Sequence, residues 1–152
     1  MQNEILEEKK QYIVSKLGGE QYGIDIAYVD NIVRMQKITR VPKTQNYFIG
    51  VINLRGEIIP VMSLRRKLEL EDHEVTGSTR IIIIKTEQNA KIGILVDEVR
   101  EVVTLDEENV EKVTYENGKE DMTMYLTGIG KYHDTLISLL NINGIIVERD
   151  NA

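Results

Sequence analysis

Two histidines and no cysteine stand among the 152 residues, so thiol and metal chemistry have few residues to work with. His73 lies in Glu71-Asp72-His73-Glu74, and His133 precedes Asp134. Metal ligation needs convergent donors oriented by further hydrogen bonds, and one imidazole in an acidic turn supplies neither. Both histidines read as solvated loop residues, and no metal is expected. A thiolate nucleophile is excluded outright. No strand is followed by a phosphate-cradling glycine loop or a strained nucleophile turn, and Gly128-Ile129-Gly130 is only a turn fragment. The paired carboxylates Asp97-Glu98 and Glu107-Glu108 are sequence neighbours, which diverge on a strand. No cofactor and no catalytic residue is expected. A competing reading, a small β-barrel that binds a ligand or metal through the loops around His73 or His133, would show itself by a stoichiometric copurifying species.

The group that stands out is a guanidinium. Asn53-Leu54-Arg55-Gly56 places Arg55 between two aliphatic runs, at a turn for which Gly56 supplies backbone freedom. The planar fork of Arg can grip a carboxylate bidentately while its stem covers apolar surface. Arg55 therefore reads either as a partner-binding residue or as a turn residue held in an internal salt bridge.

The elements around it are strands. The core must come from β-branched aliphatics, because Trp is absent and Phe48 is the single Phe. YIVSKL and YGIDI flank Gly18-Gly19 as a hairpin, and GVINLRGEIIPVMSL forms a second one. Pro60 cannot donate to a ladder, so its strand is expected at an edge or at the start of a new sheet. Val29, Ile32 and Val33 fit a helix or a bent strand equally well. Residues 65–79 form a polar connector; RIIIIK, the turn TEQNAK and IGILVDEVREVVTL follow, then the longest connector, 106–124, and a last strand-turn-strand from Tyr125. Residues 1–10, with three Glu and two Lys, read as a flexible tail or a short helix turn.

The halves repeat. Tyr22–Val33 lies over Ile92–Val103 with an offset of 70, and Tyr47–Leu64 over Tyr125–Ile142 with an offset of 78. Aliphatic strands align easily by chance, but here the order of elements matches as well. Neither half is large enough to bury its apolar face alone, so two small barrels packed together are expected, over roughly 12–68 and 80–146 of a single 1–152 domain. The formal charge of −6 and pI near 5.0 argue against nucleic acid as a partner. No apolar run approaches a membrane span and the N-terminus is polar, so no membrane insertion and a cytoplasmic location are expected.

Gly50-Val51-Ile52-Asn53-Leu54-Arg55-Gly56, Ile58-Ile59-Pro60-Val61 and Leu64 resemble the signature hairpin of the CheW family of bacterial chemotaxis coupling proteins. Tyr22-Gly23-Ile24-Asp25-Ile26, Gly93-Ile94-Leu95-Val96-Asp97 and Tyr125-Leu126-Thr127-Gly128 resemble other segments of that family, in its order, over about Tyr12 to Ile146. The resemblance implies a mainly β fold of two SH3-like five-stranded barrels sharing a hydrophobic core, with short helical segments. It also implies a non-enzymatic adaptor that joins the cytoplasmic tip of chemoreceptors to the regulatory domain of the histidine kinase CheA at membrane-associated receptor arrays. In the family the receptor's helical tip lies in a groove between the barrels. Carried onto this chain, the receptor-binding positions are Val29, Gly50, Arg55, Gly56, Ile81, Ile82, Gly93, Val99 and Val102; the glycines could equally act through the backbone conformation they permit. Kinase-facing residues are unassigned. Some relatives hold the hairpin Arg with a Glu at the position of Asn31, a charge that Asn cannot supply.

Overall fold

A computed structural model describes residues 9–113 and 124–146. Most of the expected tail, residues 1–8, and the middle of the 106–124 connector therefore lie outside the described residues. The order is β1 (Lys10–Leu17), β2 (Glu20–Asp25), β3 (Val29–Arg34), β4 (Phe48–Leu54), β5 (Glu57–Ser63), α1 (Leu64–Lys67), β6 (Arg80–Lys85), β7 (Lys91–Val96), β8 (Glu98–Leu105), β9 (Val110–Lys112), β10 (Leu126–Tyr132), β11 (Thr135–Leu140) and α2 (Ile142–Ile146). The chain is mainly β with short helices. Instead of two five-stranded sheets there is one of six strands, β8-β1-β2-β11-β10-β9, and one of five, β3-β6-β7-β5-β4, and neither list closes on itself.

The sixth strand explains the difference. β9 pairs β10 at Gly128↔Lys112, inside the segment read from sequence as a polar connector. Its counterpart in the other sheet is a single bridge, Thr39↔Val51, beside β4. Three residues of Val-Glu-Lys carry too little periodicity to be recognised as a strand.

The repeat is visible in the registers. β5 runs parallel to β7 with Val61 opposite Gly93, and β11 runs parallel to β2 with Leu139 opposite Gly23. These pairs are related by the same offsets as the sequence. Each hairpin of one half is thus completed by a strand of the other half, so compact units do not follow the sequence repeats. One unit draws on Met1–Val14, Glu20–Ile26 and Arg100–Ala152, the other on Ser15–Gly19 and Ala27–Val99. In the first, Val14, Val103, Leu105, Ile137 and Leu139 cluster; in the second, Ile52, Ile59, Val61, Ile81 and Ile83. The glycines opposite these strands leave room for that packing. A Cβ on Gly23 would lie 2.9 Å from Leu139 Cδ2, and one on Gly93 would lie 2.7 Å from Ile81 Cγ2.

Two local expectations change. β5 lies inside its sheet and not at an edge, yet its pairing with β7 begins at Val61, so the residue without an N–H falls just outside that ladder. Val29–Arg34 is a strand with alternating burial, entered through a 3-10 turn at Ile26–Tyr28. Pairing with β6 decides what the short window could not.

Candidate partner-binding surface

The β4–β5 hairpin holds Arg55 by register. Leu54 faces Glu57 across a two-residue loop, and Arg55 and Gly56 have φ of +55° and +85°. Left-handed backbone at both positions matches the right-handed twist of the flanking strands. The Asn53 Oδ1 accepts a hydrogen bond from the Gly56 N–H at 2.9 Å and fixes the turn. The repeat places His133 where the first half has Arg55: it is also left-handed, with φ +54°, in the loop between Tyr132 and Thr135.

Arg55 is exposed, and its guanidinium makes no hydrogen bond or ion pair with the described residues. The internal salt bridge considered from sequence is absent there. Asp30, the nearest carboxylate in sequence to Asn31, is engaged by Lys91 at 3.7 Å. Lys91 Nζ also lies 3.2 Å from Glu57 Oε1, and that hydrogen bond leads in raising its pKa above the ordinary lysine value. Asn31 Oδ1 is buried without a hydrogen-bond partner among the described residues. The hairpin cation is therefore presented outward on a fixed turn.

The remaining predicted positions divide by burial. Ile81 and Ile82 are fully buried on β6 and Gly93 is buried on β7, so they cannot touch a partner while the sheet is intact. Their place in this fold is the packed core of the sheet. Gly50 is buried as well, at φ +148°, where a Cβ would overlap the Thr39 carbonyl oxygen and lie 2.7 Å from Ile38 Cγ2. Its role is to let the chain before β4 approach the strand. Val29 and Val99 are half-buried, Gly56 is exposed, and Val102 on β8 is 50% exposed. Arg55, Gly56, Val29 and Val99 belong to one unit and Val102 to the other.

Among the exposed aliphatics that sequence reasoning missed, three fall on the repeat. Ile58 is 60% and Leu136 65% exposed, and the 78-residue offset relates them; Ile32 at 37% pairs with Val102 through the 70-residue offset. Comparing the two halves for outward positions would have found them. Two isolated features in the Ala27–Val99 unit brace the hairpin's surroundings. Arg65 grips Asp97 bidentately, Nε to Oδ1 at 2.9 Å and Nη2 to Oδ2 at 2.6 Å, while Gly18 N–H donates to the same carboxylate at 2.9 Å. Burial alone would raise the Asp97 pKa, but the Arg65 and Gly18 hydrogen bonds and the Arg65 charge outweigh it and hold the carboxyl below its usual range. Lys67 is buried with its Nζ 4.0 Å from the Tyr47 ring centroid. Among the described residues no three His, Asp or Glu side chains converge as metal ligands.

Two SH3-like sheets that present exposed aliphatics and a cation with no ion pair among the described residues define a small β module. Residues 11–150 match the CheW-like domain, and the chain belongs to that family. It is 36% identical to the chemotaxis protein CheW of Bacillus subtilis over 90% of this chain and 86% of that one, and 33% identical to CheW of Helicobacter pylori over 92% and 83%. A solved structure, the scaffolding protein CheW of Thermoanaerobacter tengcongensis, superposes with a TM-score of 0.77 at 34% identity, covering 88% of this chain and 90% of that one.

Proposed function

We propose that this protein is a chemotaxis adaptor without catalytic activity, joining the cytoplasmic tip of chemoreceptors to the regulatory domain of the histidine kinase CheA. The observation that carries the reading is Arg55: a cation with no internal partner among the described residues, displayed on a fixed left-handed turn in a chain of the CheW-like family. The turn fixes the backbone that carries this group, so meeting a receptor carboxylate costs the rotamer freedom of the Arg55 side chain but no ordering of the loop. Val29 and Val99, half-buried in the same unit as Arg55, supply apolar contact to the receptor. The reading assigns Leu136, exposed beside the other hairpin loop, to the kinase regulatory domain. The protein works in the cytoplasm at receptor arrays, and its function is positional: weak contacts of roughly micromolar strength, multiplied by the array, keep receptor and kinase in one geometry.

The test is co-sedimentation of the kinase with membranes carrying receptor fragments, with and without this protein. Kinase should pellet only when the protein is present. The Arg55→Ala protein should stay folded and still bind the isolated kinase regulatory domain, yet fail to pellet with receptor; normal pelleting would refute the role given to Arg55.

A further inference from the structure

Between Asn31 and Gly56 the chain contains five Arg or Lys and no Asp or Glu, although the whole chain carries −6. Apart from Arg55 the cations recur every third residue, Arg34, Lys37, Arg40 and Lys43, through the long connection from β3 to β4. All four are exposed, and none forms an ion pair with the described residues. Elsewhere Lys10, Arg65, Arg66 and Lys91 each have a carboxylate within 4 Å, while Lys85 and Lys131 have none among the described residues but stand singly and not in a run. A solvated surface of an acidic protein normally intersperses the two signs; here one sign has been kept out of a continuous stretch.

The segment is also held in place. Met35 and Ile38 pack against the core cluster of Ile52 and Val61. Thr39 and Val51 exchange two backbone hydrogen bonds of 2.8 Å, at the close approach that Gly50 allows. Beyond it, Thr44 Oγ1 donates to the Val41 carbonyl at 3.2 Å, Phe48 N–H donates to the Gln45 carbonyl at 3.0 Å, and Arg66 Nη1 donates to the Asn46 carbonyl at 2.9 Å. Connections this long without regular structure are uncommon in compact domains unless they serve binding. This one is anchored by its apolar side chains, and two of its exposed cations, Arg40 and Lys43, line a cleft of about 450 Å³ with Asn46, Phe48 and the Asp72-paired Arg66. Val41 is 38% exposed among those cations.

We infer that the β3–β4 connection is a second docking surface, separate from the hairpin tip, for a carboxylate-rich segment of a partner protein that also offers an apolar residue to Val41. Charge complementarity selects the occupant. A short acidic peptide can follow Arg34, Lys37, Arg40 and Lys43 with one carboxylate, the Asp72 held on Arg66, beside the cleft, whereas an extended anionic surface such as a bilayer or nucleic acid is opposed by the net charge of −6. The inference does not depend on the chemotaxis reading, since it rests on charge and anchoring alone.

The probe is a fluorescent synthetic peptide alternating Glu with Leu and Ala, titrated with the full chain and followed by anisotropy at about 50 mM salt, where the Debye length is roughly 14 Å. Binding should weaken by about tenfold in the double variant Arg40→Glu, Lys43→Glu, and change less than about twofold in Lys85→Glu, Lys131→Glu, which reverses two exposed lysines elsewhere. Backbone amide shifts of the unaltered protein should move within residues 34–46 on adding peptide, a readout that does not depend on any variant folding. Absence of peptide binding, equal loss in both double variants, or shifts confined to other residues would overturn the proposal. Tight association with phosphatidylserine vesicles or a DNA duplex that is lost in the first double variant would overturn it in favour of those partners.

Discussion

At the scale of single residues, Arg55 sets backbone comfort against display. A non-glycine residue in the left-handed region is disfavoured, and Asn is tolerated there far better than Arg. Arg55→Asn should therefore raise stability by about 0.5 kcal/mol in urea unfolding while weakening receptor binding about tenfold. Parallel loss of stability and binding would show that Arg55 is retained for the fold. Asp97 is the opposite kind of residue, its charge turned inward. Because its folded pKa lies below the unfolded value of about 3.9, its contribution is fully present above that pH and is lost as pH falls through the folded pKa. The Asp97→Asn protein should be less stable by roughly 2 kcal/mol at neutral pH, and its stability should fall less steeply below about pH 4. Equal slopes of stability against pH in that window would contradict this.

At the scale of elements, the hairpin around Arg55 and the aliphatic strand Arg80–Lys85 were legible because turn chemistry and a continuous aliphatic run are local signals. Which residues face outward was not. Ile81 and Ile82 lie in a strand buried on every aliphatic position, whereas Ile58 stands two residues from Gly56 and is exposed; nothing local to either stretch separates them. Nor could the sequence show that Gly50 serves the approach of Thr39, since that contact spans a connection without regular structure. The structure makes the consequence testable. Gly50→Ala should destabilise by about 2 kcal/mol or more, because both its φ of +148° and the Thr39 carbonyl resist a Cβ. Protease cleavage within residues 35–47 should rise in the variant; unchanged stability would mean that the connection is held by other contacts.

At the scale of the whole molecule, the sequence repeat was readable but its exchange was not, because offsets of 70 and 78 say nothing about which strand lies beside which. Since β5 needs β7 and β11 needs β2, chains cut in the exposed stretch 71–78 should leave two halves that are each unfolded and that regain strand circular dichroism on mixing. A half that folds alone would contradict the pairing. The same architecture gives the protein two related hairpins with unlike tips, Arg55 in one and His133 in the other, and the proposed adaptor function gives each its own partner. That claim is tested most directly by calorimetric titration of this protein with the isolated regulatory domain of the chemotaxis kinase. The adaptor account predicts saturable one-to-one binding in the micromolar range, kept in Arg55→Ala and weakened in Leu136→Glu; no binding up to about 100 μM would contradict it.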